Sequence, residues 1–190
     1  MLEELLQWDQ NLFIYLNSLG SAKYDFFWVT VTTILNWTPV FFLFLLIVLL
    51  KFSKKEAFWV VLTLILLVLF ILGFTDFIKE TVERLRPNND PELNSFIRIL
   101  KHPSGYSFFS GHASSSFSIA TLLFLFLRKR LRGSFLLYLW PLLFAYSRIY
   151  VGVHFPLDIF IGALVGVATA FMFFRIYVKI IVPYLKLSHP

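Results

Sequence analysis

Three short polar motifs interrupt an otherwise apolar chain. They are Lys79-x6-Arg86-Pro87, Ser110-Gly111-His112 and Ser147-Arg148-x5-His154-x3-Asp158. Together they supply cations, two histidines and a carboxylate, which are the groups needed to bind a phosphate, attack its phosphorus atom and protonate the leaving group. Charged groups are costly beside hydrocarbon, so a polar cluster of this kind in a membrane protein predicts a functional site.

The predicted phosphate-binding residues are Lys79, Arg86, Ser110, Gly111 and Arg148. Lys79 and Arg86 are two helical turns apart, so that a point charge and a planar guanidinium can approach one phosphate if the helix persists. Arg148 can add a bidentate contact from another side. Ser110 and Gly111 precede an apolar helix, where free N–H groups and the positive end of the helix dipole favour an anion.

These residues also have simpler interpretations. Taken alone, Lys79 and Arg86 are typical of interfacial anchors that reach lipid headgroups. Ser110 alone is typical of an ordinary helix N-cap, which is compatible with phosphate binding. The three motifs together favour one site, because they are expected at the same membrane face.

The predicted catalytic residues are His154, His112 and Asp158. Asp158 follows His154 by one helical turn, so its carboxylate can bind one imidazole nitrogen and leave the other free for nucleophilic attack. Pro156 is typical of the first turn of a helix. His112 is expected in the first turn of its own helix, in a position to protonate a leaving oxygen.

The composition is that of an integral membrane protein. The chain has 190 residues, of which 58% are hydrophobic and 15% are charged, and a mean hydropathy of +0.77, more apolar than one soluble core requires. The absence of cysteine from the sequence excludes disulfides, thiolate metal sites and cysteine nucleophiles. No nucleic-acid partner is expected.

No metal site and no cofactor are predicted. The acidic residues beside the first motif, Asp76, Glu80 and Glu83, lack the pattern of a divalent-ion site. We interpret them as groups that solvate a helix end or pair with Arg84.

The hydrophobic pattern predicts an all-α integral membrane protein. It is a single domain, residues 1–190, with a bundle of about five transmembrane helices and an N-terminal interfacial amphipathic helix. The interfacial helix is expected over residues 1–19. The transmembrane helices are expected over residues 26–50, 57–78, 112–128, 134–150 and 156–181.

The distribution of charge predicts the orientation. Residues 51–55 and 128–132 carry three and four basic side chains, which by the positive-inside rule belong in the cytoplasm. With five spans, all three motifs then face the periplasm or the outside of a multi-pass protein in the bacterial inner (cytoplasmic) membrane. Several basic residues near the motifs oppose this assignment, and we attribute them to the site itself.

The three motifs resemble those of the type-2 phosphatidic acid phosphatase superfamily, and the short chain looks like its compact bacterial members. The resemblance covers Lys79 to Asp158 directly. One departure is Phe109, which stands where the family usually has proline before Ser-Gly-His. The substitution affects the shape of a loop and removes no reacting atom.

The resemblance implies a metal-independent phosphatase that is inhibited by vanadate. His154 would form a phosphohistidine, His112 would protonate the leaving group, and water would then release phosphate. The implied substrate is a lipid phosphate whose tail stays in the bilayer, with a slight preference for undecaprenyl diphosphate. Phosphatidylglycerol phosphate, phosphatidic acid and lipid A phosphates are the alternatives within the family.

Functions from another class are a transporter and a non-catalytic lipid-binding protein. A transporter predicts ionisable residues near the membrane midplane, which the second and fifth spans lack. A binding protein would have no need of both histidines. Two structural questions stay open: whether Gly162-x3-Gly166 forms a contact within the chain or in a homodimer, and whether residues 88–108 form a lid or a plain connection.

Overall fold

The chain folds into helices, most of which are joined by short turns, while a long irregular segment over residues 83–110 joins two of them. A computed structural model describes residues 1–187, and no strand occurs within that range. The helices are α1 (Leu2–Ser18), α2 (Asp25–Val31), α3 (Thr38–Lys51), α4 (Lys54–Val82), α5 (Gly111–Leu127), α6 (Leu139–Tyr150), α7 (Pro156–Ile176) and α8 (Val182–Leu185). Shorter 3₁₀ turns lie at Ala22–Tyr24, Ile34–Trp37, Pro87–Asn89 and Ser134–Tyr138, and a π-helical turn lies at Tyr177–Ile181.

Three helical segments in this part of the chain are long and apolar enough to cross a membrane: Ile34–Lys51, Lys54–Asn89 and Pro156–Leu185. Helix α5 is apolar but shorter, and α6 is extended at its start by the 3₁₀ turn Ser134–Tyr138. The all-α membrane architecture is therefore confirmed. That α5 and α6 also cross the bilayer stays a prediction.

The predicted helix over residues 26–50 is wrong, because it is divided into α2 and α3. Thr33 adopts an extended backbone between them. The indole Nε1 of Trp37 donates to the carbonyl of Val31 at 2.7 Å, and Asn36 Nδ2 donates to that of Thr30 at 2.9 Å. These side chains satisfy carbonyls that a continuous helix would have used, so the helix stops there.

Helix α4 is longer than the predicted range 57–78 and ends before Arg86. Ser53 and Glu56 form a capping box at its start, and Glu83 ends it in the left-handed conformation with φ of 52°. Arg86 has an extended backbone beyond that end. The proposed two-turn spacing of Lys79 and Arg86 on one helix face is therefore wrong, and the loop places Arg86 instead.

Helix α5 forms the centre of the bundle and packs closely on α7. A Cβ atom at Gly162 would lie 2.7 Å from the carbonyl oxygen of Ser110, and one at Gly166 would overlap the carbonyl oxygen of Ser114. The Gly162-x3-Gly166 pattern is therefore a close contact within the chain, as small residues at membrane helix interfaces allow.

Helix α1 forms as predicted, but it is docked on the bundle. Phe13 is fully buried and meets the Phe155 ring edge-on at 5.4 Å between centroids. The Asn17 amide donates to the carbonyls of Arg98, Ile149 and Tyr150 at 3.0–3.2 Å. These contacts place α1 against the end of α6 and the start of α7.

The α5–α7 contact predicts a specific stability effect. Gly166→Ala should lower the free energy of unfolding by about 1–3 kcal/mol, because the added methyl group overlaps backbone. Gly73→Ala is the matched control, since a Cβ at Gly73 would meet no atom within 4 Å outside the local backbone of its own helix. Denaturation in detergent measures both, and equal stability of the two variants would contradict the assigned packing.

Candidate active site

His154 lies in the buried connection between α6 and α7. Its side chain is 1% exposed. Gly152, with φ of 82°, allows the chain to turn there, and a Cβ atom at that position would meet the carbonyl oxygen of Arg98. The turn brings His154 back over the end of α6, where Val153 N donates to the carbonyl of Arg148 at 3.1 Å.

Both nitrogens of the His154 ring have partners. Nδ1 lies 3.4 Å from Asp158 Oδ2, as the spacing predicted. Nε2 lies 3.0 Å from Arg86 Nη1. Because a guanidinium can only donate, Nε2 accepts this hydrogen bond and the ring proton sits on Nδ1, facing the carboxylate. Nε2 was expected to be free, so attack on phosphorus requires the Arg86 contact to give way.

The surroundings of His154 favour its neutral form. Burial, followed by the positive charges of Arg86 and Arg148, holds the pKa of His154 well below its ordinary range. A neutral imidazole with a lone pair on Nε2 is the form that can act as a nucleophile.

Two buried guanidinium groups lie near His154: Arg86 contacts its Nε2, and Arg148 is close enough to act on the ring electrostatically. Arg86 is 6% exposed, and it donates from Nε to the Gly105 carbonyl at 3.1 Å and from Nη1 to the Val153 carbonyl at 3.2 Å. Arg148 is also 6% exposed and donates from Nη1 to Thr32 Oγ1 at 2.6 Å. Its Nε is buried without a partner among the described residues. Donors of this kind suit an anion with several oxygens.

The N-terminus of α5 supplies backbone hydrogen-bond donors beside Asp158. The Ser110 hydroxyl accepts a hydrogen bond from Ala113 N at 3.4 Å, and Ser110 N donates to the Asp158 carbonyl at 3.0 Å. Ser110 is thus an N-cap, and its own N–H is committed to α7. The N–H groups of Gly111 and His112 have no partner among residues 1–187, so these two are the available donors.

Lys79 and His112 line a cleft of about 290 Å³ beside this helix end. A Cβ atom at Gly111 would lie 3.9 Å from Lys79 Nζ, so the ammonium faces the start of α5. The His112 ring packs against Phe144 with centroids 4.8 Å apart. His112 is also near enough to interact electrostatically with Arg148, His154, Lys79 and Arg86. The structure therefore brings all of the predicted site residues together.

Three residues of the site were not predicted. Thr32 binds Arg148 at the break between α2 and α3. Arg84 binds Asp158 Oδ1 at 2.8 Å and Asp9 Oδ2 at 2.7 Å. The predicted pairing of Arg84 with the neighbouring acidic residues is therefore wrong. Nothing in the spacing indicates Asp9, which comes from α1 at the other end of the sequence.

Residues 88–108 fold back onto the site. Gly105 accepts a hydrogen bond from Arg86, and Leu100 N donates to the Val151 carbonyl at 3.1 Å. Phe109 is 2% exposed and its ring lies 6.1 Å from that of Phe74, between centroids; the Phe108–Phe109 peptide bond is cis. Within residues 1–187, no group of three or more His, Cys, Asp or Glu side chains has an arrangement that could hold a metal ion.

A buried histidine with its carboxylate partner, surrounded by cations at one end of a helix bundle, is an arrangement that can bind a phosphate and attack it. Residues 56–181 match the family model of the PAP2 superfamily. The chain belongs to this superfamily, and it is a lipid phosphatase of the PAP2 type.

Known proteins resemble the chain over most of its length. A lipid A 4'-phosphatase of Bacteroides thetaiotaomicron is 32% identical over 185 residues, which are 95% of this chain and 81% of that protein. An undecaprenyl-diphosphatase of Sulfolobus acidocaldarius is 29% identical over 182 residues, which are 85% of this chain and 84% of that protein. The crystal structure of a transmembrane PAP2 type phosphatidylglycerolphosphate phosphatase from Bacillus subtilis has the same fold, with a TM-score of 0.74 at 20% identity over 93% of this chain and 88% of that one.

Proposed function

We propose that this protein hydrolyses a lipid phosphate through a phosphohistidine on His154. The observation that carries the proposal is the buried His154, whose Nδ1 faces Asp158 and whose Nε2 faces Arg86. His154 Nε2 attacks phosphorus, and the bond from phosphorus to the lipid oxygen breaks. The His112 imidazolium donates a proton to that oxygen. Water then attacks the phosphohistidine, gives a proton to the now neutral His112, and releases inorganic phosphate.

The cations stabilise the charge that the transferring group carries. Arg86 approaches the transferring group from the loop after α4, Arg148 from α6 and Lys79 from α4. The free N–H groups at the start of α5 are further donors to the same group. Donors held in place before the reaction cost no reorganisation in the transition state. No step of this scheme is assigned to a metal ion.

Apolar space near the cleft is available for the tail of a lipid substrate. An apolar groove of about 350 Å³ runs between α3, α4 and α5 and is lined by side chains such as Phe41, Val61 and Ile119. Leu69 of this groove and Leu72 of the catalytic cleft are one turn apart on α4. A phosphate at His112 would therefore have hydrocarbon-lined space next to its leaving group.

Two lipid classes are the leading substrates. A phosphomonoester of lipid A is favoured by the lipid A 4'-phosphatase relative, whose match extends over nearly the whole chain. Undecaprenyl diphosphate is favoured by the undecaprenyl-diphosphatase relative. Both substrates use the same phosphate site and leave an apolar anchor in the membrane.

We expect His154→Asn to reduce phosphate release to background, since the attacking nitrogen is lost. The wild-type protein should release phosphate from members of a panel that contains lipid A, undecaprenyl diphosphate, phosphatidylglycerol phosphate and phosphatidic acid. His102→Asn is the matched control, because His102 is exposed and has no assigned role. Full activity of the His154 variant would remove the proposed nucleophile, whatever the preferred lipid.

A second prediction concerns metal ions and vanadate. Activity should persist in EDTA, because side-chain cations and helix N–H groups stabilise the phosphoryl oxygens. Vanadate should inhibit competitively, since five-coordinate vanadium can bond to His154 and present equatorial oxygens to Arg86 and Arg148. Assays of phosphate release with each reagent test this. Strict dependence on added Mg²⁺ without vanadate inhibition would contradict the scheme.

We further propose that the site faces the periplasm or the outside of the bacterial inner membrane. A cysteine at the exposed position of Glu92 should then react with a membrane-impermeant thiol reagent in intact cells, and one at Lys54 should react only after lysis. The sequence contains no other cysteine. The opposite labelling pattern would place the site in the cytoplasm.

A further inference from the structure

A buried ionic chain connects α1 to the catalytic carboxylate. The Arg84 guanidinium donates from Nη1 to Asp158 Oδ1 at 2.8 Å and from Nη2 to Asp9 Oδ2 at 2.7 Å. Both carboxylates are completely buried, and the Arg84 side chain is 16% exposed. Two buried acids that share one cation are costly to assemble, so a purely incidental contact is a poor explanation.

We propose that Asp9 and Arg84 are positioning residues that hold Asp158 in the orientation that His154 needs, so that α1 is part of the catalytic apparatus. This inference rests on the proposed role of His154. Arg84 occupies one oxygen of Asp158, while the other oxygen faces His154 Nδ1 at 3.4 Å and accepts from Phe155 N at 3.0 Å. With Oδ1 bound to Arg84, rotation of the carboxylate away from the imidazole would break an ion pair.

Asp9 also binds the backbone at the start of α7, next to Asp158. Its Oδ1 accepts a hydrogen bond from Leu157 N at 2.8 Å, at the start of α7 and directly before Asp158. The Arg84 guanidinium carbon also lies 4.0 Å from the centroid of the Phe155 ring, which follows His154 in the chain. Asp9 and Arg84 thus contact two residues of the short segment between His154 and Asp158.

The electrostatics agree with this geometry. Burial raises the pKa of Asp9, and the hydrogen bond from Arg84 and that from Leu157 oppose the rise. Asp9 and Asp158 carry like charges close together, and the shared guanidinium compensates both. Without Asp9, the second nitrogen of Arg84 would lose the partner that aligns the guanidinium with Asp158.

A purely structural role for Asp9 makes a different prediction. Helix α1 is also held by the Phe13 ring and by three hydrogen bonds from Asn17. Loss of the Asp9 carboxylate should therefore leave α1 docked and the protein folded. A positioning role predicts that the chemical step slows even so.

The test compares Asp9→Asn, Asp158→Asn and the double variant in detergent, with dioctanoyl phosphatidic acid and farnesyl diphosphate as probes. We expect Asp9→Asn to lower kcat about 10-fold, with KM within about twofold, as for the loss of a residue that orients a directly acting group. The double variant should be no slower than Asp158→Asn alone, because residues that act as a unit are non-additive. Arg84→Lys should recover part of the rate lost in Arg84→Gln, since it restores the charge.

Asp25→Asn is the matched control. It breaks another Arg–Asp pair, with Arg98 at 2.6 Å, that does not contact the His154–Asp158 pair. An unchanged kcat in folded Asp9→Asn, or additive losses in the double variant, would overturn the positioning role. Failure of the wild-type protein to form an acid-labile phosphohistidine would instead overturn the proposed function.

Discussion

The hydrogen bonds and ion pair of Asp158 connect most of the elements that build the site. Its side chain binds Arg84 and faces His154, and its backbone carbonyl accepts from Ser110 N at 3.0 Å. A carboxylate buried at a membrane helix end needs such partners, because desolvation strongly disfavours an isolated charge. The partners come from the loop after α4, the connection before α7 and the start of α5. Satisfying this one group therefore holds these segments together.

The close packing of α5 on α7 makes that arrangement possible. Gly162 and Gly166 let the backbone of α7 approach Ser110 and Ser114 so nearly that an added Cβ atom would collide with carbonyl oxygens. At this distance, the first turn of α5 and the first turn of α7 lie side by side. The donors of Gly111 and His112 are thus presented next to the His154–Asp158 pair without a flexible linker, which favours preorganised binding of an anion.

The position of the cluster at the helix ends explains how one site can serve water and lipid. Lys79 and His112 line the cleft near the start of α5, and the apolar groove between α3, α4 and α5 begins one helical turn away along α4. A lipid phosphate can present its phosphoryl group to the cations while its tail remains among apolar side chains. Thr32, the C-cap residue of α2 just before the break at Thr33, accepts a hydrogen bond from Arg148 and so connects α2 to the site.

The sequence alone determined the family, the all-helical membrane class and the set of residues that converge. These features follow from short-range patterns: hydrophobic runs, the i, i+4 spacing of His154 and Asp158, and motifs that end or begin helices. Only the tertiary structure revealed that Arg86 lies beyond the end of α4, that Arg86 occupies His154 Nε2, and that Asp9 reaches Asp158 through Arg84. Asp9 and Arg84 are 75 positions apart in sequence. No local sequence pattern predicts such a pair, because its geometry depends on how α1 packs against the end of α6 and the start of α7. It also depends on the buried charges of Asp158 and Arg84, which Asp9 meets there.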